Sequence, residues 1–353
     1  MATIYCSTSG SNTSPYDTKA KAATNLDTAL GAASAGDTVL LESSYVETVS
    51  AAKTFTIPAG VSVITINYST DLRQPMANVG GYIGRPSGTS YALTFTLGSG
   101  AYLYGLRGVI APNFTNANIT AQTTASAAAL VVLDSCTFTN NARGSTASIQ
   151  IGRTNSNNSA SVMQLRNCVL EAAGAQTGSG SGRVKFSMLG DMIGGRIYRL
   201  SPGLYSVANM IGVAGTNDEG GGAIRFIGVD LSGAISDVGL VDAGSGSAAH
   251  VQIIDCRTPT YGIMANISER LHVDVIHSGE DALDYNFNSH WSAAGIVVAV
   301  PTAYTSDGPT YDGTDRYSLL MTPSGNNGPG APLISPLISL YNEDDALSAN
   351  LSI

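Results

Sequence analysis

The residues best placed to do chemistry are acidic. Glu280, Asp281 and Asp284 share one short segment, Gly279-Glu-Asp-Ala-Leu-Asp-Tyr285, with His290 close behind. Two carboxylates about 5 Å apart, or about 6.5–9.5 Å apart with room for a water, are the machinery of glycoside hydrolysis. Asp218-Glu219 and Asp230 are further acidic candidates. The competing use is local, because Asp beside Gly or Asn caps turns by accepting hydrogen bonds from its own backbone. That use is the expected one for Asp281 and Asp284, and more so for Asp218-Glu219 among its glycines. Catalysis is therefore not the expectation. An enzyme built on this chain would be a polysaccharide depolymerase working through Glu280, Asp281 and Asp284.

Other catalytic patterns fail on spacing. The chain holds no GxxxxGK[ST], no HExxH and no GxSxG. The Gly178-Ser-Gly-Ser-Gly182 stretch joins no strand to a helix, so it reads as a flexible loop and not a phosphate cradle. His250, His272, His277 and His290 lack metal-ligand spacing, and the four cysteines include no CxxC pair. No cofactor and no metal are expected. The 16 tyrosines suit stacking on glycans or contacts between subunits equally well.

The elements that must position these groups follow from composition. Of 353 residues 40 are Gly, 43% are hydrophobic and only 12% are charged. The apolar share supplies a core, and the scarcity of Lys, Arg and Glu disfavours long amphipathic helices. An all-β chain with many turns remains. Net charge is −9 and the only lysines are Lys19, Lys21, Lys53 and Lys185, so clustered cations for nucleic acid are missing. No apolar run is long enough to span a membrane, and the first residues lack the basic and apolar regions of a signal peptide. Synthesis in a reducing cytosol is expected.

Near the N-terminus, Ile4-Tyr5-Cys6 reads as a strand. Ala22, Leu26, Ala29, Leu30 and Ala33 predict a helix over 18–35, stopped by Gly36-Asp37 and laid as a lid over something apolar. Val39-Leu40-Leu41 resumes strand character. From about residue 90, short β-rich runs recur between Gly/Ser/Thr/Asn loops. Aligned on the sixth residue (Leu106, Cys136, Cys168, Leu189, Met210, Val229, Cys256 and Ile276), they step by 30, 32, 21, 21, 19, 27 and 20. A floor near twenty with insertions is the signature of a coiled ladder of rungs. Equivalent positions should then touch, with Cys136, Cys168 and Cys256 packing as compact apolar side chains. After Gly279 the character changes: Trp291–Val300, Tyr317–Met321 and Leu337–Tyr341 read as strands of a separate β segment.

Three stretches carry a family resemblance. Ile4-Tyr-Cys-Ser-Thr-Ser-Gly10, with the helix ending Ala33-Ser-Ala-Gly-Asp-Thr-Val39 and with Glu42-Ser-Ser-Tyr-Val-Glu47, resembles the opening of bacteriophage right-handed parallel β-helix proteins. Gly279–Tyr285 is similar to a late Gly/Asp-rich segment of that family. Tyr317-Ser-Leu-Leu-Met-Thr-Pro323 with Pro332-Leu-Ile-Ser-Pro336 resembles the start of their C-terminal β-sandwich. The resemblance implies an all-β fold with a capping strand and helix over 1–50, a right-handed parallel β-helix over 51–290 and a short β-sandwich-like segment over 291–353. It also implies a homotrimeric virion protein made in the host cytoplasm. Tailspikes of the family carry an N-terminal adaptor, and here the cap begins within five residues. The expectation is therefore a capsid decoration or cement protein on the virion surface, with the major capsid protein or other virion proteins as partners. The alternative is a tailspike-like protein that binds or degrades a host surface glycan. A bacterial pectate-lyase-like enzyme is a third reading, disfavoured by the missing signal peptide.

Overall fold

The computed structural model describes residues 1–76, 81–85, 90–112, 116–123, 129–152, 161–175, 180–200, 207–213, 222–236, 239–243, 249–259, 265–266, 271–276, 296–299, 320–323, 340–342 and 345–347. The chain divides into two compact units, Met1–Tyr285 and Asn286–Ile353. Glu280, Asp281, Asp284, His277, His290 and Asp218-Glu219 lie outside the described residues.

The first unit is nearly all β, arranged as three parallel stacks. The first stack contains Thr3–Cys6, Thr38–Glu42, Ser62–Asn67, Tyr102–Tyr104, Val131–Asp134, Ser161–Arg166, the second half of Gly180–Ile193, Gly222–Ile227, Ala249–Ile254 and Leu271–Ile276. The second contains Val46–Thr48, Tyr82–Arg85, Arg107–Ile110, Thr137–Asn140, Val169–Ala173 and Arg196–Leu200, continued by single bridges to Asp230 and Arg257. The third contains Lys53–Ile57, Ser90–Leu97, Asn116–Thr123, Ser148–Gly152, the first half of Gly180–Ile193, Val207–Val213, Gly239–Ala243 and Ala265–Asn266. From Thr38 to Ile276 the chain visits first, second and third stack in turn.

Period-two alternation explains the interior. Val39, Val63, Leu103, Leu133, Leu165, Met192, Phe226 and Ile253 occupy one register position of the first stack, and all are buried. In the third stack Phe55 stacks on Phe95 with centroids 5.6 Å apart. Phe95 reaches Phe138 of the second stack at 5.8 Å, so aromatic contacts bind the faces together.

The bend from first to second stack repeats from rung to rung. Gly105, Ser135, Asn167, Gly194, Gly228 and Asp255 occupy it, all with φ between 51° and 71°. Each donates its N–H to the last strand residue of the next rung. The acceptors are the carbonyls of Asp134, Arg166, Ile193, Ile227, Ile254 and Ile276, at 2.8–3.0 Å. Left-handed backbone favours Gly, Asn, Asp and other short polar side chains, and those are the residues found. The next position turns inward and holds Leu106, Cys136, Cys168, Gly195, Val229 and Cys256. The thiols of Cys136, Cys168 and Cys256 each donate to a carbonyl one rung earlier, on Leu103, Leu133 and Phe226, at 3.7, 3.4 and 3.3 Å. The expected shared position of the three cysteines and Val229 is what the register gives.

Three members of the expected series are misplaced. Leu189 faces outward on the first stack, Met210 belongs to the third stack, and Ile276 pairs with Ile254, two positions before Cys256. The cause is that Gly180–Ile193 is one long strand serving two stacks, so two of the apparent rungs are different faces of a turn. Gly180–Gly182 likewise opens this strand where a flexible loop was expected.

The bend between second and third stack is held by buried polar groups. Asn140 donates to the carbonyls of Ala117 and Ser148 and accepts from the N–H of Ala142. Arg183 is 1% exposed and donates to the carbonyls of Ala173, Gly144 and Ala142 at 2.6, 2.8 and 3.0 Å. Burial, and then the nearby charge of Arg199, lower its pKa to about 10.

At the N-terminal end, the helix spans only Leu26–Ala32. Asn25 sets its late start by capping the N-terminus: its side chain accepts from Thr28 N–H at 2.8 Å. Ala23, expected inside the helix, instead pairs with the outer edge of Thr3–Cys6, where Tyr5 N–H also donates to the Tyr16 carbonyl. A sheet edge that would otherwise stay open is thereby covered. Leu26, Ala29 and Leu30 bury the apolar stripe.

In the second unit Ile296–Ala299 pairs antiparallel with Leu320–Pro323, and Leu340–Asn342 with Asp345–Leu347. These strands fall within the three C-terminal runs expected to be β or just after them.

Candidate functional site

The outward positions of the first stack form three columns along its later rungs. The column preceding the centre holds Val162, Leu189, Ala223 and His250. The central column holds Gln164, Asp191, Arg225, Gln252 and Asp274. The column beside the bend holds Arg166, Ile193, Ile227, Ile254 and Ile276. Strand geometry alone places them so, since residues two apart share a face and parallel rungs lie about 4.8 Å apart.

The central column is a chain of polar contacts. Arg225 grips Asp191 with both arms of its guanidinium, Nε to Oδ1 at 2.7 Å and Nη2 to Oδ2 at 3.0 Å. Those hydrogen bonds, and secondly the carboxylate charge, raise the Arg225 pKa. Asp274 is met by His250 Nε2 at 2.8 Å and by Gln252 Nε2 at 3.1 Å. Arg166 donates to Gln164 at 2.7 Å. Apart from His250 and Arg166 the flanking columns are aliphatic, and they reach solvent: Val162 is 42% exposed, Leu189 and Ile193 36%, and Ile276 37%. A shallow groove of about 400 Å³ runs over Gly190 and Ala223, between Leu130, Val162 and Leu189 on one side and Gln164, Asp191, Arg225 and Gln252 on the other.

This face is arranged for contact. Asp191 and Asp274 stand three strand spacings apart, about 14 Å at the usual inter-strand distance, beyond the carboxylate separations of glycoside hydrolysis. Each is already committed to a neighbouring cation or donor. Asp230, a sequence candidate, accepts from Ser232 N–H at 3.0 Å and from Ser232 Oγ at 2.6 Å, which is turn capping. Among the described residues no group of three or more His, Cys, Asp or Glu is placed to hold a metal. No helix among them is long and apolar enough to cross a membrane.

Sequence reasoning missed this face. Its signal was present in Leu189-Gly-Asp-Met-Ile193 and in Ala223-Ile-Arg-Phe-Ile227, where alternate residues are outward. Aligning Leu189 as an inward residue concealed it. Comparison with family models, curated proteins and solved structures returned no match.

Proposed function

We propose that this chain is a right-handed parallel β-helix protein of a bacteriophage particle, acting as a homotrimeric decoration or cement protein that stabilises the capsid from outside. The observation that carries the reading is the three-stack succession from Thr38 to Ile276, with its repeated left-handed bend bonded from rung to rung. Crossovers between parallel strands are right-handed in nearly all cases, and a coil of that hand gives a stiff rod whose faces are free for protein contacts. Buried thiols, capped turns and a face of paired charges suit a load-bearing part. The partners on this reading are copies of itself and the major capsid protein. The test is addition of purified protein to shells lacking it, followed by electron microscopy and thermal release of the genome. Decorated shells should withstand higher temperature; shells that take up no protein refute the role.

The groove over Gly190 and Ala223 favours a second reading, a tailspike-like protein that binds a host surface glycan. Planar amide and guanidinium groups beside aliphatic side chains fit the polar edges and apolar faces of sugars. On that reading Glu280, Asp281 and Asp284 supply any depolymerase activity. Thinning of capsular polysaccharide by purified protein, lost in Asp281→Asn or Asp284→Asn, would establish it.

A further inference from the structure

The groove-bearing face of the first stack is matched to itself. We infer that it docks on the same face of a second copy, with the two chains antiparallel about a two-fold axis lying in the interface and running parallel to the strands. Such an axis leaves each outward column opposite itself and reverses the order of rungs. The register centred between the Asp191 and Arg225 rungs sets Asp191 against the partner copy's Arg225, twice by symmetry; a register centred on the Gln252 rung would instead set Arg225 against Asp274, and would leave Leu189 without Ala223 opposite it. Centring on the Asp191 or the Arg225 rung would oppose two like charges, and a shift by one rung toward Gln252 would oppose Asp191 to Asp274.

Shape selects the same register independently. It sets the projecting Leu189 over Ala223, whose small side chain floors the groove, so that each copy fills the other's concavity. It also sets Ile193 against Ile227 and Gln164 against Gln252. Charge explains why this face is the one that pairs. The chain carries −9 overall, so two copies repel at most approaches, whereas here Arg166 and Arg225 balance Asp191 and Asp274. Four facing rungs by five residues give a footprint of roughly 19 Å by 17 Å from strand spacings. That is smaller than the ~800 Å² per partner of a standard stable complex, so the pairing should be reversible on dilution.

The pairing goes beyond the virion reading and does not depend on it. Sedimentation velocity of the full chain over a range of concentrations should reveal species doubling the basic unit: dimers of a monomer, or hexamers of a trimer. Asp191→Arg and Arg225→Asp should each abolish doubling, since the first sets cation against cation and the second carboxylate against carboxylate. An equimolar mixture of the two variants should restore it, because at both symmetric contacts a guanidinium of one variant then faces a carboxylate of the other. Ala223→Leu, at a partly exposed position lining the groove, should weaken doubling at least tenfold and keeps the test open if a charge variant fails to fold. Absence of doubled species in the wild type overturns the proposal, as does a face covered by another segment of this chain or by a different protein. A mixture no more associated than its components overturns it equally.

Discussion

Replacing Arg183 by Met would measure what holds the bend between the second and third stacks. The Met side chain keeps much of the apolar stem and removes a guanidinium that serves three buried carbonyls. An unsatisfied buried carbonyl costs about 1–3 kcal/mol. Gly144 counts for less, since Ala147 N–H also reaches its carbonyl at 3.2 Å, so the three together amount to roughly 5 kcal/mol on that scale. Against this stands relief from burying a cation. The fall of the Arg183 pKa from its ordinary value to about 10 corresponds to about 3 kcal/mol at 1.36 kcal/mol per unit. The net expectation is a loss of about 2 kcal/mol, the bonds outweighing the charge. Hydrogen exchange in the native state reads this directly: amides around Ala142–Ala147 and Ala173 should exchange about thirtyfold faster, at 1.4 kcal/mol per factor of ten. Arg183→Lys, which keeps the charge and loses the planar fork, should be no better than Met. A Met variant with unchanged or slower exchange would refute the reasoning, because the buried charge would then cost more than its bonds contribute.

Asn167→Val, at φ 52°, should lower stability by about 1–2 kcal/mol from left-handed strain, whereas Asn167→Gly should stay within about 1 kcal/mol; equal urea midpoints for the two would contradict the bend's backbone demand. Cys6, Cys136, Cys168 and Cys256 are buried, and burial is the chief cause raising the thiols of Cys6, Cys168 and Cys256. Iodoacetamide at pH 8 should leave native protein unlabelled and modify all four after denaturation, so fast labelling of native protein would count against the packing. Asp37 accepts from Ala2 N–H at 2.6 Å and Ser34 N–H at 2.9 Å, which hold its carboxyl below the usual range. A lowered acid contributes stability above its unfolded pKa and loses it as pH falls through the folded value. Protection of the Ala2 and Ser34 amides, corrected for intrinsic exchange, should therefore decline below about pH 4, and Asp37→Asn should remove that dependence; an identical decline in the variant would assign it elsewhere.

Much of the architecture was legible in composition and period. Forty glycines, few charges and two-residue alternation leave little besides stacked strands and turns, because alternate residues must face opposite sides of a strand whatever it pairs with. Cys136, Cys168 and Cys256 could be stacked from spacing alone, since each follows its strand after one short polar residue that takes the left-handed bend. The acidic segment Glu280–Asp284 could be named as chemistry-bearing from residue types, with nothing local to say what faces it. What the tertiary structure decided was pairing. Leu189 looked like the end of a rung, yet the long strand Gly180–Ile193 crosses from the third stack to the first and turns Leu189 outward. The helix expected over 18–35 shrank to Leu26–Ala32 because Ala23 found a partner in Tyr5, far along the chain. The column joining Asp191, Arg225 and Asp274 spans three separate strands, and no sequence window contains it. Periodicity fixes which residues share a face, but only the register between distant strands fixes which of them meet.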